Sequence, residues 1–135
     1  TMLDGTGDNR LKSLTKKVQQ MKDRGMTVRA KYATADIQTA LERSHARAIK
    51  TGRDVPYPSV VTLHQNVSRV VPDALQAGIF DEFELYDMNK SGTAIRVALY
   101  TKADGLVIEK PELWNNFLGK AWQPMSKFQK WMDTH

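Results

Sequence analysis

Hydrophobic residues along the chain switch repeatedly between the spacing of helices and the spacing of strands. Leu11, Leu14 and Val18 recur every three or four positions, as on one face of a helix, whereas apolar and polar residues alternate over 26–33, as in a strand. The pattern predicts, in chain order, a strand stub at 2–3, a helix at about 10–24, a strand at 26–33, helices at 34–50 and 58–78, strands at 83–86, 95–100 and 106–108, and helices at 111–118 and 125–132. Pro72 is expected to kink or restart the third helix. Helices that alternate with strands predict an α/β layered fold with an initially parallel sheet, a later hairpin and a helical tail.

Composition narrows the class of protein. The 135 residues are 41% hydrophobic and 26% charged, which is typical of one folded domain and argues against wholesale disorder. The absence of cysteine excludes a disulfide scaffold, a Cys-ligated zinc site and a thiol nucleophile. No apolar run reaches the roughly 18 residues of a membrane span, and the first residues lack the pattern of a signal peptide. We therefore expect a cytoplasmic globular protein that does not contact a membrane.

Positive charge is concentrated in the first part of the chain. Residues 1–53 contain 12 Lys and Arg against 5 Asp and Glu, a net charge of +7, whereas residues 54–135 carry −2, which together give the overall +5. Such a basic half is either a solvated helix surface or a site for an anion such as a nucleotide or a phosphorylated substrate. Nucleic acid is the weaker candidate, because few aromatic residues are interleaved with the basic ones and no binding motif is present.

Basic residues form a stripe on the second predicted helix, which Thr34 is expected to cap. Arg43, Arg47 and Lys50 are spaced i, i+4 and i+7, which places them on one face, and Arg53 follows in the adjoining loop. Like charges four residues apart repel, so the stripe either faces water or meets an anion. The spacing alone favours water, but the fork of the arginine guanidinium suits bidentate contact with phosphate.

Asp4-Gly5-Thr6 follows the strand stub directly. Ligands of open α/β sheets bind outside the carboxyl ends of the parallel strands, so an acidic residue at this point is a candidate binding residue. The simpler interpretation is a turn in which the Asp side chain bonds its own backbone.

Three candidate motifs in the sequence are incomplete. Gly119-Lys120 resembles the end of a P-loop, but Trp114 stands where that motif needs its first Gly and Ala121 where it needs Ser or Thr. The segment 87–92 opens like a calcium loop but lacks the Glu at its twelfth position, so we interpret it as a hairpin turn. The three histidines have no metal-ligand spacing, and His64 is expected to be a packed or hydrogen-bonded residue. No metal site is predicted.

The order and spacing of five short segments resembles the carboxy-terminal part of the zeta toxin family of P-loop kinases. The segments, spread over roughly residues 2–118, are Asp4-Gly5-Thr6, Ile37-Gln38-Thr39-Ala40-Leu41-Glu42-Arg43, Gly52-Arg53-Asp54-Val55-Pro56, His64 in the third predicted helix, and Gly78-Ile79-Phe80-Asp81 before the strand Phe83-Glu84-Leu85-Tyr86-Asp87. The resemblance implies a partial P-loop-kinase-like fold, with 1–119 as the kinase portion and 120–135 as a C-terminal helical tail.

The resemblance also implies a function. Members of this family use ATP and Mg²⁺ to phosphorylate a nucleotide-activated amino sugar, UDP-N-acetylglucosamine, and act as toxins held in check by an antitoxin protein. By this resemblance Arg43 and Arg53 neutralise the ATP phosphates, Arg47 assists, and Asp4 and Thr6 hold the acceptor. Family members often have Glu where this chain has Asp4, so the shorter side chain would move the substrate or alter its identity.

The family's P-loop and catalytic base lie upstream of the segment that Asp4-Gly5-Thr6 matches, and the 135 residues contain neither. We therefore expect a fragment that cannot transfer a phosphoryl group in isolation, with the missing segment or another chain covering the exposed sheet near Leu3. Two other interpretations stay open: a non-catalytic interaction or structural module, and, less favoured, a nucleic-acid-binding domain. The first draws on aromatic residues near the C-terminus, for which packing onto the chain's own sheet is the simpler explanation. These residues are Trp114, Trp122, Phe128, Trp131 and Met132.

Overall fold

The computed structural model describes residues 2–4, 11–52, 56–90 and 92–135, with side chains from residue 14 onward. Five strands lie in the described part of the chain: β1 (Met2–Asp4), β2 (Arg29–Thr34), β3 (Glu82–Asp87), β4 (Ile95–Thr101) and β5 (Gly105–Ile108). The described helices are α1 (Leu11–Asp23), α2 (Ile37–Thr51), α3 (Tyr57–Ala77), α4 (Pro111–Gly119) and α5 (Gln129–Thr134), with 3₁₀ turns at Lys120–Trp122 and Met125–Phe128. The predicted elements are therefore present, with bounds shifted by a few residues.

The strands form one sheet in the order β1-β2-β3-β4-β5. β1, β2 and β3 are parallel to each other, and β3, β4 and β5 run antiparallel as successive hairpins. In the parallel part, Thr34 at the end of β2 is level with Asp87 at the end of β3. The predicted α/β class, with a parallel start and a C-terminal hairpin, is confirmed.

One face of the sheet carries the main hydrophobic core. Side chains of β2 alternate, with Ala30 and Tyr32 buried and Arg29 and Lys31 exposed, because successive residues of a strand point to opposite faces. Helices α1, α3 and α4 cover the apolar face. The buried residues of this core are Leu14, Val18, Val28, Ala30, Tyr32, Val70, Val71, Ala74, Phe80, Phe83, Leu85, Val97, Ala98, Trp114 and Phe117.

Helix α3 runs without interruption through Pro72, so the expected restart there is wrong. The proline ring removes a single backbone donor, and the helix keeps its packing against the core through Val70, Val71 and Ala74 on either side. In the described ranges, none of the helices combines the length and hydrophobicity that crossing a bilayer requires.

The aromatic residues Phe128 and Trp131 of the C-terminal segment, residues 120–135, pack on helices rather than on the sheet. Phe128 is buried in a second core with Ile37 and Leu41 of α2 and Val61 of α3, and Trp131 packs partly against it. The expectation that the aromatic tail lies on the chain's own sheet is wrong for this segment, because α1, α3 and α4 already cover the apolar sheet face. The division of the chain at 119/120 stays a prediction.

Candidate functional site

Several polar residues lie close together at the carboxyl ends of β2 and β3. Thr34 and Asp87 end these two strands side by side, and both are buried. The segment Ala35–Asp36 then leads into α2, and the turn that begins with Met88 and Asn89 leads towards β4. We call this place the carboxyl edge. It is the position at which open α/β sheets bind ligands.

Lys120 reaches the carboxyl edge from the C-terminal segment. Its side chain is only 4% exposed, and its Nζ donates to Thr34 Oγ1, to the carbonyl of Ala35 (2.9 Å) and to His64 Nδ1 (3.0 Å). An ammonium group has three donors and no acceptor, so the three contacts use all of its protons. His64 Nδ1 is therefore the acceptor, and the neutral imidazole carries its proton on Nε2.

Burial changes the ionisation of both partners. It lowers the pKa of Lys120 from 10.5 to about 8, against the opposing effect of the carboxylates of Asp36 and Asp87. Burial and, to a smaller extent, the charge of Lys120 lower the pKa of His64 from 6.5 to about 4. At neutral pH the pair is thus a mostly charged lysine against a neutral histidine.

Asn89 connects the carboxyl edge to the arginine stripe. Its backbone N and its Nδ2 donate to the two carboxylate oxygens of Asp87, at 3.0 and 2.9 Å. Its Oδ1 accepts from the backbone N of Asp36 (2.7 Å), and its backbone carbonyl accepts from Arg43 Nη2 (2.9 Å). One turn residue therefore fixes the guanidinium of Arg43, the start of α2 and the end of β3 relative to each other.

The structure tests the predicted site residues unevenly. Arg43 lies at the carboxyl edge, whereas Arg47, one turn further along α2, is exposed. Arg53 and Thr6 lie outside the described residues. The backbone of Asp4 pairs with Lys31, three positions before Thr34 on β2, so β1 ends about 10 Å short of the Thr34–Asp87 level. The roles of all five residues stay predictions.

A polar groove opens beside Asp36. It has a volume of about 500 Å³ and lies between the first turn of α2, the C-terminal half of α4 and the C-terminal segment, with Gln38, Asn116, Gln123 and Lys127 among its lining residues. This volume lies in the range of small-molecule sites.

Carboxylate and imidazole side chains are common protein ligands of metal ions. Within the described ranges, no group of three or more His, Asp or Glu side chains gathers closely enough to hold a metal ion.

Comparison with known proteins shows the fold. No protein-family model and no curated protein matches the sequence. Solved structures of the AvrRxo1-ORF1:-ORF2 complex match it: the native complex with a TM-score of 0.67 at 18% identity over 82% of this chain, and the complex with ATP with a TM-score of 0.65 at 19% identity over 83%. A third match, also with a TM-score of 0.65, is the complex with sulphate ions. This chain spans about a third of the length of those chains, 34 to 35%.

Sequence reasoning missed Lys120 and Asn89. In the sequence, Lys120 stands out only as part of an incomplete P-loop match. The residues around it give no local signal that its side chain is buried against a strand 86 residues earlier in the chain. Asn89 had a usable signal, because a polar residue in the turn that follows a predicted strand can lie at the ligand-binding edge of the sheet. The expectation that His64 is a hydrogen-bonded, partly buried residue agrees with its contact with Lys120.

Proposed function

We propose that the chain is the carboxy-terminal portion of a zeta-toxin-like, ATP-dependent kinase that phosphorylates a small molecule, with a nucleotide sugar as the acceptor. The observation that carries the proposal is the placement of Arg43 at the carboxyl edge of a fold that also occurs in a complex crystallised with ATP. A kinase that uses ATP is consistent with the cytoplasm as its location.

Arg43 fits the binding of a phosphate group. A guanidinium carries five N–H donors, and the contact with Asn89 uses one of them, so the group keeps donors for phosphate oxygens. Bound ATP, with Mg²⁺, supplies the phosphoryl group. In this proposal Arg43 and Arg53 bind its phosphate oxygens, Arg47 assists from the next turn of α2, and Asp4 with Thr6 holds the acceptor.

The phosphate cradle must come from outside these residues. The sequence contains no Gly-x-x-x-x-Gly-Lys-Ser/Thr segment, the loop whose backbone N–H groups hold the phosphates of ATP in P-loop kinases. We therefore propose that a P-loop segment, in the same polypeptide or in another chain, completes the site, and that these 135 residues alone do not transfer phosphate.

Titration with Mg·ATP tests this proposal on the 135-residue chain. We expect weak binding, with a Kd of about 1 mM or weaker, accompanied by NMR shifts at Arg43 and Asn89. Arg43→Ala should abolish the shift at Asn89. Lys16→Ala, a matched loss of charge on the exposed face of α1, should leave the shifts at Arg43 and Asn89 unchanged. Tight binding would contradict the need for a P-loop segment, and the absence of shifts at Arg43 and Asn89 would contradict the assignment of the phosphates.

A protein-binding module is the second candidate. Trp122 is 82% exposed. Tryptophan is among the residue types most enriched at the centres of protein interfaces, so an exposed tryptophan is a candidate contact for a partner protein. The matching structures are complexes of two proteins, ORF1 and ORF2, so an antitoxin-like partner is the natural form of this candidate. The same titration separates the two candidates, since a module without a nucleotide site shows no shifts with Mg·ATP.

A further inference from the structure

Lys120 makes three hydrogen bonds with residues that are far from it in the sequence. It lies in a 3₁₀ turn after α4, yet it bonds the last residue of β2, the carbonyl of the next residue and a side chain of α3. The three acceptors belong to β2, to the segment that follows it and to α3, all of which are far from Lys120 in the sequence. Lys120 thus closes a hydrogen-bonded cluster with Thr34, Ala35 and His64.

The cluster continues without a gap to Arg43. The backbone from Thr34 and Ala35 leads directly to Asp36, whose N–H donates to Asn89 Oδ1. The carbonyl of Asn89 in turn accepts from the guanidinium of Arg43. The segment Thr34–Asp36 is therefore linked through Asn89 to the acceptor of the Arg43 side chain.

We propose that Lys120 is a positioning residue, whose ammonium group fixes the segment Thr34–Asp36 and thereby holds Asn89 and Arg43 at the carboxyl edge. The proposal rests on the proposed function only in giving Arg43 a ligand. The coupling between Lys120 and Arg43 is a property of the chain without nucleotide.

Energetics argue that this ammonium group is present for geometry rather than for stability. Burying a charge is costly, and replacing a buried charged group together with its polar partners by apolar residues is often neutral or stabilising. The lowered pKa of Lys120 agrees, since it shows that burial disfavours the charged form. A methionine, which has the same unbranched shape, should therefore preserve the packing while leaving the acceptors of Thr34, Ala35 and His64 without their donor.

The test is NMR of the chain without nucleotide, comparing wild type with Lys120→Met and with Lys130→Met, the same change at an exposed position of α5. In wild type and in Lys130→Met, restricted rotation should give Arg43 separate Nη–H signals that exposed Arg47 lacks. Lys120→Met should remain folded, lose the separate signals of Arg43, and raise the pKa of His64 because the neighbouring positive charge is gone.

A folded Lys120→Met whose Arg43 signals equal those of wild type would overturn the proposal, because the lysine would then stabilise without positioning. If Lys120→Met does not fold, Thr34→Val gives the same decision, since it removes one acceptor of Lys120 at nearly constant volume. Arg43 signals that weaken in Thr34→Val support the proposal, and unchanged signals overturn it. Failure of the Mg·ATP titration bears on the ligand of Arg43 and leaves this coupling test intact.

Discussion

The contact between His64 and Lys120 predicts that the protein loses stability in mild acid. Protonation of His64 Nδ1 removes the acceptor that Lys120 uses and sets two positive groups 3.0 Å apart in a buried place. The folded-state pKa of His64 is lowered from 6.5 to about 4. Between these two values the unfolded chain binds a proton that the folded chain excludes, so stability is present above about pH 6.5 and falls as the pH falls towards 4.

The magnitude follows from the size of that shift. One pKa unit corresponds to about 1.4 kcal/mol, so the full shift is worth about 3 kcal/mol. Lowering the pH from about 7.5 to about 4.5 covers most of this window and should reduce the free energy of unfolding by about 2 to 3 kcal/mol. Carboxylates contribute mainly below this window. Asp81, for example, has its pKa lowered by the backbone N–H of Val28 and then by Lys102, so its stabilisation is lost only as the pH falls below about 4.

Urea denaturation at a series of pH values measures this loss. The matched variant is His64→Gln, which keeps a side-chain acceptor for Lys120 but cannot be protonated in this range. The free energy of unfolding of wild type should fall between about pH 6.5 and pH 4.5. The fall in the variant should be smaller by about 2 kcal/mol over the same range. Equal slopes for the two proteins would refute the reasoning, because the titration of His64 would then not be coupled to folding.

Two further predictions concern the packing that supports the site. Leu41→Ala, at a fully buried position between α2, α3 and the C-terminal segment, should reduce the free energy of unfolding by about 2 to 5 kcal/mol, whereas Ile49→Ala on the same helix, where the side chain is 72% exposed, should change it by less than about 0.5 kcal/mol. Equal effects of these two variants would contradict the burial of the second core. Asp81→Ala should reduce the free energy of unfolding by about 1 to 3 kcal/mol because the N–H of Val28 loses its acceptor at 2.7 Å. Lys102→Ala breaks only an ion pair whose lysine is largely exposed, so it should reduce the free energy of unfolding by less than Asp81→Ala does. A larger effect of Lys102→Ala would show that the ion pair rather than the backbone contact is what matters.

Periodicity was sufficient to predict most of the fold. The alternation that places Val28, Ala30 and Tyr32 on one face is produced by burial of a single sheet face, and burial is what the sequence pattern records. Residues that commonly begin or interrupt helices were less informative about the bounds of the elements. Thr34, expected to cap α2, ends β2 instead, and Asp36 precedes the helix without making a side-chain capping bond. Pro72 lies inside a helix whose packing outweighs one missing donor.

The site was predictable only in its local part. Spacing along α2 places Arg43 and Arg47 on one face, but it does not measure distance from the carboxyl edge, and only Arg43 reaches Asn89. Lys120 depends on the packing of the C-terminal segment across α3, which no local pattern encodes. Interactions of this range follow from tertiary packing and were therefore beyond sequence spacing.

Transfer of radiolabelled phosphate from ATP tests the proposed kinase most directly. The measurement uses the longest polypeptide that the reading frame of this chain encodes, with nucleotide sugars as acceptors, and compares wild type with Arg43→Ala and Lys16→Ala. We expect transfer by wild type and by Lys16→Ala, and a loss of at least about 100-fold in Arg43→Ala, because the arginine stabilises charge on the transferred group. Transfer that is undiminished in Arg43→Ala, or absent from a wild-type polypeptide that contains a P-loop, would contradict the proposal.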